Sequence, residues 1–368
     1  MILLLYLIKN ICSFFAYNIL ERTPVSFGPG VFFILGGIFM DKVFKTYDEQ
    51  IALLNSRGIE ISTSIERSDA KKALQHYGYY NLINGYKMPF LVNDLEESAD
   101  DKYKKGTKIN EIKALYNFDA RIRRIFFKYI LLIETNIKNL IAYTFSQAHP
   151  QENYLVYTNF NRNLRDSNKL ITNLISDIQR QISSRVSDPC ISHYLKEHGY
   201  IPLWVLNSIL TLGTISNFYK VMNQKERQEI SKIFKIQDNE LENILMYITP
   251  IRNFCAHNNR LYCYRTKKPL TDLSIHDELN IPRTSQAKNE YAYGKRDLFA
   301  AVLAMKTLLS DMDFKKFLKE INNALNIFRP RMRVIEEKEL LSYMGFPEDW
   351  RESLLKIKTD CCEGNDKV

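Results

Sequence analysis

The stretch INEIKALYNFDARIRRIFFKYILLIETNIKNLIAYTFSQA, residues 109 to 148, decides the fold class. Apolar side chains return at steps of three and four, through Ile112, Leu115, Phe118, Ile122, Phe126 and onward to Phe145. This is the period of a helix that buries one side. Neither Gly nor Pro interrupts it, so the segment is expected to form a central, largely buried helix or helix pair. Outward from it, Ala73, Leu74, Tyr77 and Tyr80 share one helical face behind a Ser68-Asp69 cap. Further helices are expected over 165–185, 203–222, 225–234, 239–248, 250–262, 295–309 and 311–326. Strand signals are weak throughout, and the pattern predicts an all-α protein.

Composition agrees with a packed globular chain. Of 368 residues, 45 % are hydrophobic and 12 % aromatic, enough for a core and incompatible with wholesale disorder. With 13 Gly and 11 Pro, the chain is not collagenous or low-complexity. Lys and Arg exceed Asp and Glu by 51 to 42, a net charge of +9, which favours polyanionic partners, nucleic acid ahead of a membrane surface. The cysteines Cys12, Cys190, Cys255, Cys263, Cys361 and Cys362 lack C-x2-C spacing and are too sparse for a disulfide scaffold. No metal is expected, and a reducing, cytoplasmic setting is.

Residues 1–40 stand apart. They carry three charges, Lys9, Glu21 and Arg22, and two apolar stretches, MILLLYLIKNICSFFAYNIL and VFFILGGIFM. The first lacks a basic n-region and the second has ten residues, against about 20 for a membrane span. Pro24, Pro29 and four glycines between 24 and 37 would break any helix there. Residues 1–40 therefore read as an extension ahead of a soluble start at Met40, with membrane association as the alternative. The rest divides into a helical core, 41–270, and a C-terminal helical extension, 271–368.

Charge is unevenly placed. Residues 102–138 hold ten Lys/Arg against Glu111, Asp119 and Glu134, whereas 94–101 carries five carboxylates and reads as a solvated loop. A second basic cluster, Arg252, Arg260, Arg265, Lys267 and Lys268, is interleaved with Tyr262 and Tyr264. Cations attract phosphates and tyrosine faces stack bases, so RNA would be expected there. The run FRPRMRV, 328–334, offers three more arginines to an RNA backbone. Trp204 and Trp350 read as packing anchors, and His76, His149, His193, His198 and His276 as structural or surface groups.

The segment LMYITPIRNFCAHNNRLY, 245–262, is the one that could do chemistry. Thr249-Pro250 reads as the start of a helix whose free N–H groups, beside Arg252, would take an anion. His257 lies five residues on, a rotation of about 140° on a straight helix, so the two converge only at a helix irregularity or from two chains. An imidazole can move the proton of a ribose 2′-OH, and a guanidinium can hold the charge of a phosphorane. Asp119, Arg123 and Glu134 are candidates to line the same cleft, or an ion pair along one helix face.

The residues R-N-F-C-A-H-N-N-R-L, 252–261, resemble the R-N-x-x-A-H-x-x-R-L signature of the Abi-like abortive-infection proteins (AbiD/AbiF type), whose motif is of the kind used by HEPN ribonucleases. KTYDEQIALLNSRGIEI (45–61), HYGYYNLINGYKMPF (76–90), GTKINEIKALYNFDARIRRIFFKYILLIE (106–134), IPLWVLNSILTLGTISNFY (201–219) and MGFPEDW (344–350) are similar to other family segments in the same order. Ile109 stands where the family usually has an aromatic, and Asn207-Ser208 where it often has a glutamate. The resemblance implies an HEPN-like helical bundle with additional N- and C-terminal helices. It also implies a cofactor-free endoribonuclease toxin of phage defence, with Arg252, His257 and Asn253 as catalytic residues, RNA as partner and a homodimer as the working unit. An antitoxin protein or RNA would restrain it. The competing reading is a non-catalytic RNA- or protein-binding immunity component.

Overall fold

The computed structural model describes residues 43–92, 101–284 and 289–357. The chain divides into two units, residues 1–45 and 46–368. The readings made for residues 1–40, and for Cys361 and Cys362, lie outside the described residues. Among the described residues the protein is all-α, without strands. The elements are α1 (Tyr47–Ser56), α2 (Ser64–Tyr77), α3 (Ile109–Ala148), α4 (Ser167–Ser184), α5 (Pro189–Glu197), α6 (Leu203–Leu206), α7 (Leu212–Val221), α8 (Gln224–Ile233), α9 (Asp238–Ala256), α10 (Ser274–Glu278), α11 (Leu298–Leu308), α12 (Asp311–Phe328), α13 (Glu337–Met344) and α14 (Trp350–Lys356). None is long and apolar enough to cross a membrane.

Helix α3 is one uninterrupted helix of 40 residues, about 60 Å long. Its apolar stripe is buried from Ile109 to Phe145, and α12, α9 and α8 pack along it. Phe118 stacks on Phe328 at 5.1 Å, and Phe126 meets Phe317 edge-on at 5.1 Å. Rising numbers on α3 thus meet falling numbers on α12, so the two run antiparallel. Residues after 270 therefore share one core with those before it. Helix α11, LFAAVLAMKTL, is buried nearly all round, as a helix without a polar face must be.

Several helix limits differ from the sequence reading: α2 stops at Tyr77, before Gly78 at φ 75°, so Tyr80 leaves the expected face and is 76 % exposed. Helix α2 begins at Ser64, not after Ser68-Asp69, because Thr63 and Glu66 form a reciprocal capping box. The 203–222 segment is split into α6 and α7: Gln181 of α4 accepts the Thr211 N–H and donates to Thr214 Oγ1, and Thr211 Oγ1 caps the Thr214 N–H. Helices expected over 239–248 and 250–262 are instead the single α9, with Pro250 inside it. An interior proline costs about 3 kcal/mol, which the buried Ile244, Leu245, Ile248 and Ile251 offset.

Glu66 also pairs with Lys108 at 2.8 Å. That bond, with the N–H donors of Ser62 and Thr63, lowers its carboxyl to about 2 from 4.5. A depressed acid contributes stability above its unfolded value and loses it as pH falls through the folded one. Wild type should therefore lose its melting-temperature advantage over Glu66→Gln between pH 4.5 and about 2. A pH-independent difference in thermal melts would contradict this.

Candidate functional site

The Arg/His motif occupies the end of α9. Arg252 and Asn253 lie in its last turns and His257 is its C-cap, with its N–H donated to Asn253 O. The expected helix N-terminus at Thr249-Pro250 does not exist, and Thr249 Oγ1 instead donates to Leu245 O at 2.7 Å. The anion site proposed from those N–H groups is thereby removed. A helix C-terminus carries the negative end of the dipole, so phosphate there would be held by side chains.

Termination is local and legible. Asn258 adopts φ 56°, the left-handed conformation that asparagine tolerates at a helix end, and the Asn259 N–H bonds back to Phe254 O. This departure begins only after His257, whose N–H still closes a helical bond to Asn253 O, so it leaves the offset of about 140° between Arg252 and His257 within one chain. Asn253 and His257 are exposed, whereas Arg252 is half-buried.

Three side chains of α3 hold the motif from beneath. Arg252 Nε donates to Glu134 Oε2 at 3.3 Å, and its guanidinium lies 5.5 Å from the Phe127 ring centroid. Glu134 is buried and also pairs with Lys138 at 2.8 Å. The Lys138 carbonyl accepts from Asn207 Nδ2 at 2.6 Å, while Asn207 Oδ1 is buried without a partner. Asn207 thus braces the backbone beside Glu134.

Asp119 and Arg123 do not line an open cleft: both are buried and paired with one another. Asp119 accepts the N–H groups of Tyr262 (2.7 Å) and Leu261 (3.1 Å) and the Tyr86 hydroxyl (2.7 Å). Arg123 donates to Asn259 O at 3.5 Å. Burial pushes the Asp119 carboxyl up, and Arg123 and these donors oppose it. Together the pair fastens residues 259–262, the exit of the motif, onto α3.

The basic cluster beyond the motif is also turned to structural use. Tyr262 is 1 % exposed and stacks on Tyr86 at 5.5 Å, so it cannot stack a base as expected, nor can the buried Tyr264. Arg260 donates to Gly85 O at 3.1 Å, and Arg265 to Tyr343 O at 3.0 Å. Lys267 and Lys268 are exposed. Trp204, expected in the core, is 48 % exposed, because the single turn of α6 sends Leu203 and Leu206 inward instead. Trp350 is buried against Phe346. The contributions of Phe127 and Lys138 were not singled out in the sequence, although the Glu134–Lys138 spacing of four carried the signal. Among the described residues no group of three metal-ligating side chains forms.

Fold and site together define an all-helical protein that presents an Arg/His pair at a helix end braced by one long central helix. Residues 72–263, a little over half of the chain, match the family model described as Abi-like protein. The chain belongs to that family, whose name points to abortive infection, the self-sacrificing form of phage defence. No curated protein and no solved structure matches the chain.

Proposed function

We propose that the protein is a phage-defence endoribonuclease that cleaves RNA by attack of the ribose 2′-OH on the adjacent phosphate, without a metal. The observation that carries this is that the end of one helix holds both an Arg252 fixed by buried Glu134 and a solvent-facing His257. The 2′-oxygen forms a bond to phosphorus as the P–O5′ bond breaks, leaving a 2′,3′-cyclic phosphate and a 5′-hydroxyl. His257 moves a proton between these oxygens, Arg252 neutralises the developing charge, and Asn253 orients a phosphate oxygen. One histidine cannot serve as base and acid in the same instant, so a homodimer supplying a second copy is part of the reading. A restraining antitoxin and the HEPN-like character of the bundle belong to it too.

A second reading, a non-catalytic RNA-gripping immunity component, is favoured by the ion pair that already matches the Arg252 charge. The test is incubation of total cellular RNA with the purified chain in EDTA, beside Arg252→Ala, with the new ends analysed. Cyclic-phosphate ends from wild type alone are expected. RNA binding without cleavage by either protein would select the second reading.

A further inference from the structure

Away from the motif, a cleft of ≈ 800 Å³ runs between the first half of α3 and the segment 330–333. Its α3 side is one stripe: Asn110, Lys113, Asn117, Arg121 and Arg124 follow one another at steps of three and four. Ala114 and Ala120 are also part of this lining, and their short side chains leave a groove between longer ones. Arg331 and Arg333 form the opposite wall. Glu111 fixes that wall, its Oε1 accepting the N–H groups of Arg333 at 2.8 Å and Val334 at 2.9 Å.

The charge of this groove is mostly unspent. Six cations line it against two carboxylates, Glu66 and Glu111. Glu66 is paired with Lys108, and Glu111 is buried, its Oε2 unbonded. Among the described residues, the side chains of Arg121, Arg124 and Arg333 have no hydrogen-bond or ion-pair partner, and all three are exposed. Arginines in a fold are ordinarily paired where a carboxylate can reach them. Here the two acidic neighbours are already engaged, so the row of guanidinium groups faces solvent across a concave surface.

We propose that this groove holds the phosphodiester backbone of an RNA strand leading to the Arg252/His257 site. Asn110 to Arg124 spans about 21 Å of helix, long enough to contact several consecutive phosphates of one strand. Glu134, which holds Arg252, lies about 15 Å farther along the same helix and about 80° round its axis. A strand leaving the groove along α3 would pass Lys128, paired there with Glu320, and turn by about 80° to reach the side of the motif. The groove reads backbone charge and confers length preference rather than sequence preference. Its role as a track rests on the nuclease reading, whereas its affinity for RNA does not.

The test uses the full chain carrying His257→Ala, so that binding is measured without cleavage. Anisotropy titrations of a fluorescein-labelled 20-nucleotide RNA compare it with the same chain bearing Arg121→Gln, Arg124→Gln and Arg333→Gln. A control lowers charge equally at the exposed Lys169, Lys315 and Lys319. The groove variant should bind at least about tenfold more weakly, and its log K against log salt slope should be shallower by about two, at 0.7 per lost phosphate contact. The control should stay within about twofold of the parent. Equal affinity of groove variant and parent, with unchanged circular dichroism, would overturn the proposal. So would loss of binding to phosphatidylserine vesicles with RNA binding retained. In the His257-intact chain, weaker RNA binding with no cleavage by any version would sink the nuclease reading and leave the groove standing.

Discussion

Asp119→Ala is expected to destabilise the protein by about 3–5 kcal/mol, the typical cost of removing one partner from a buried ion pair. Three consequences coincide at this position. Arg123, 4 % exposed, keeps its charge with no carboxylate beside it. The N–H groups of Leu261 and Tyr262 lose their acceptor, and the Tyr86 hydroxyl loses its own. Global stability of domains is about 5–15 kcal/mol, so the loss is a large share of it. Urea unfolding should show a lower midpoint with an unchanged slope. Asp119→Asn preserves volume and a hydrogen-bond acceptor but not the charge, so it should fall between wild type and Asp119→Ala. A loss below about 1 kcal/mol for the alanine variant would mean that residues 259–262 are held chiefly by the packing of Leu261 and Tyr262.

His257→Ala is the counterpart, with a large effect on activity and little on stability. The side chain is exposed, and exposed substitutions ordinarily change stability by about 0.5 kcal/mol or less. Positioned proton transfer contributes about 10²–10⁴-fold to a rate. RNA cleavage should therefore drop by at least a hundredfold, and growth arrest on expression should disappear, while the thermal midpoint moves by no more than a degree or two. Cleavage within threefold of wild type would remove His257 from the chemistry. Glu134→Gln separates position from chemistry in the same assay. It weakens the hold on Arg252 without deleting the guanidinium, and it should cost less rate than Arg252→Ala. Equal losses would assign Glu134 a part beyond orientation.

The helical class was legible because periodicity is local. The steps of three and four from Ile112 to Phe145, unbroken by Gly or Pro, specify a helix whatever it packs against. The pairing of Asp119 with Arg123 was likewise readable from a spacing of four. Its destination was not, because the Leu261 and Tyr262 N–H groups arrive from more than 140 residues away. Thr249-Pro250 misled for the same reason. Proline in isolation marks a helix start, but buried apolar contacts of Ile248 and Ile251 carry α9 through it.

What the sequence determined by itself is the all-helical class and the Abi-like family of residues 72–263, since each is written in neighbouring side chains. Tertiary structure alone decided the rest. It put the motif at a helix C-terminus, buried Tyr262, and bound Arg252 to Glu134. It also drew the arginines of 121–124 and 331–333 to two walls of one groove. Each of these depends on burial and on charge brought together across long stretches of chain, which no local pattern encodes.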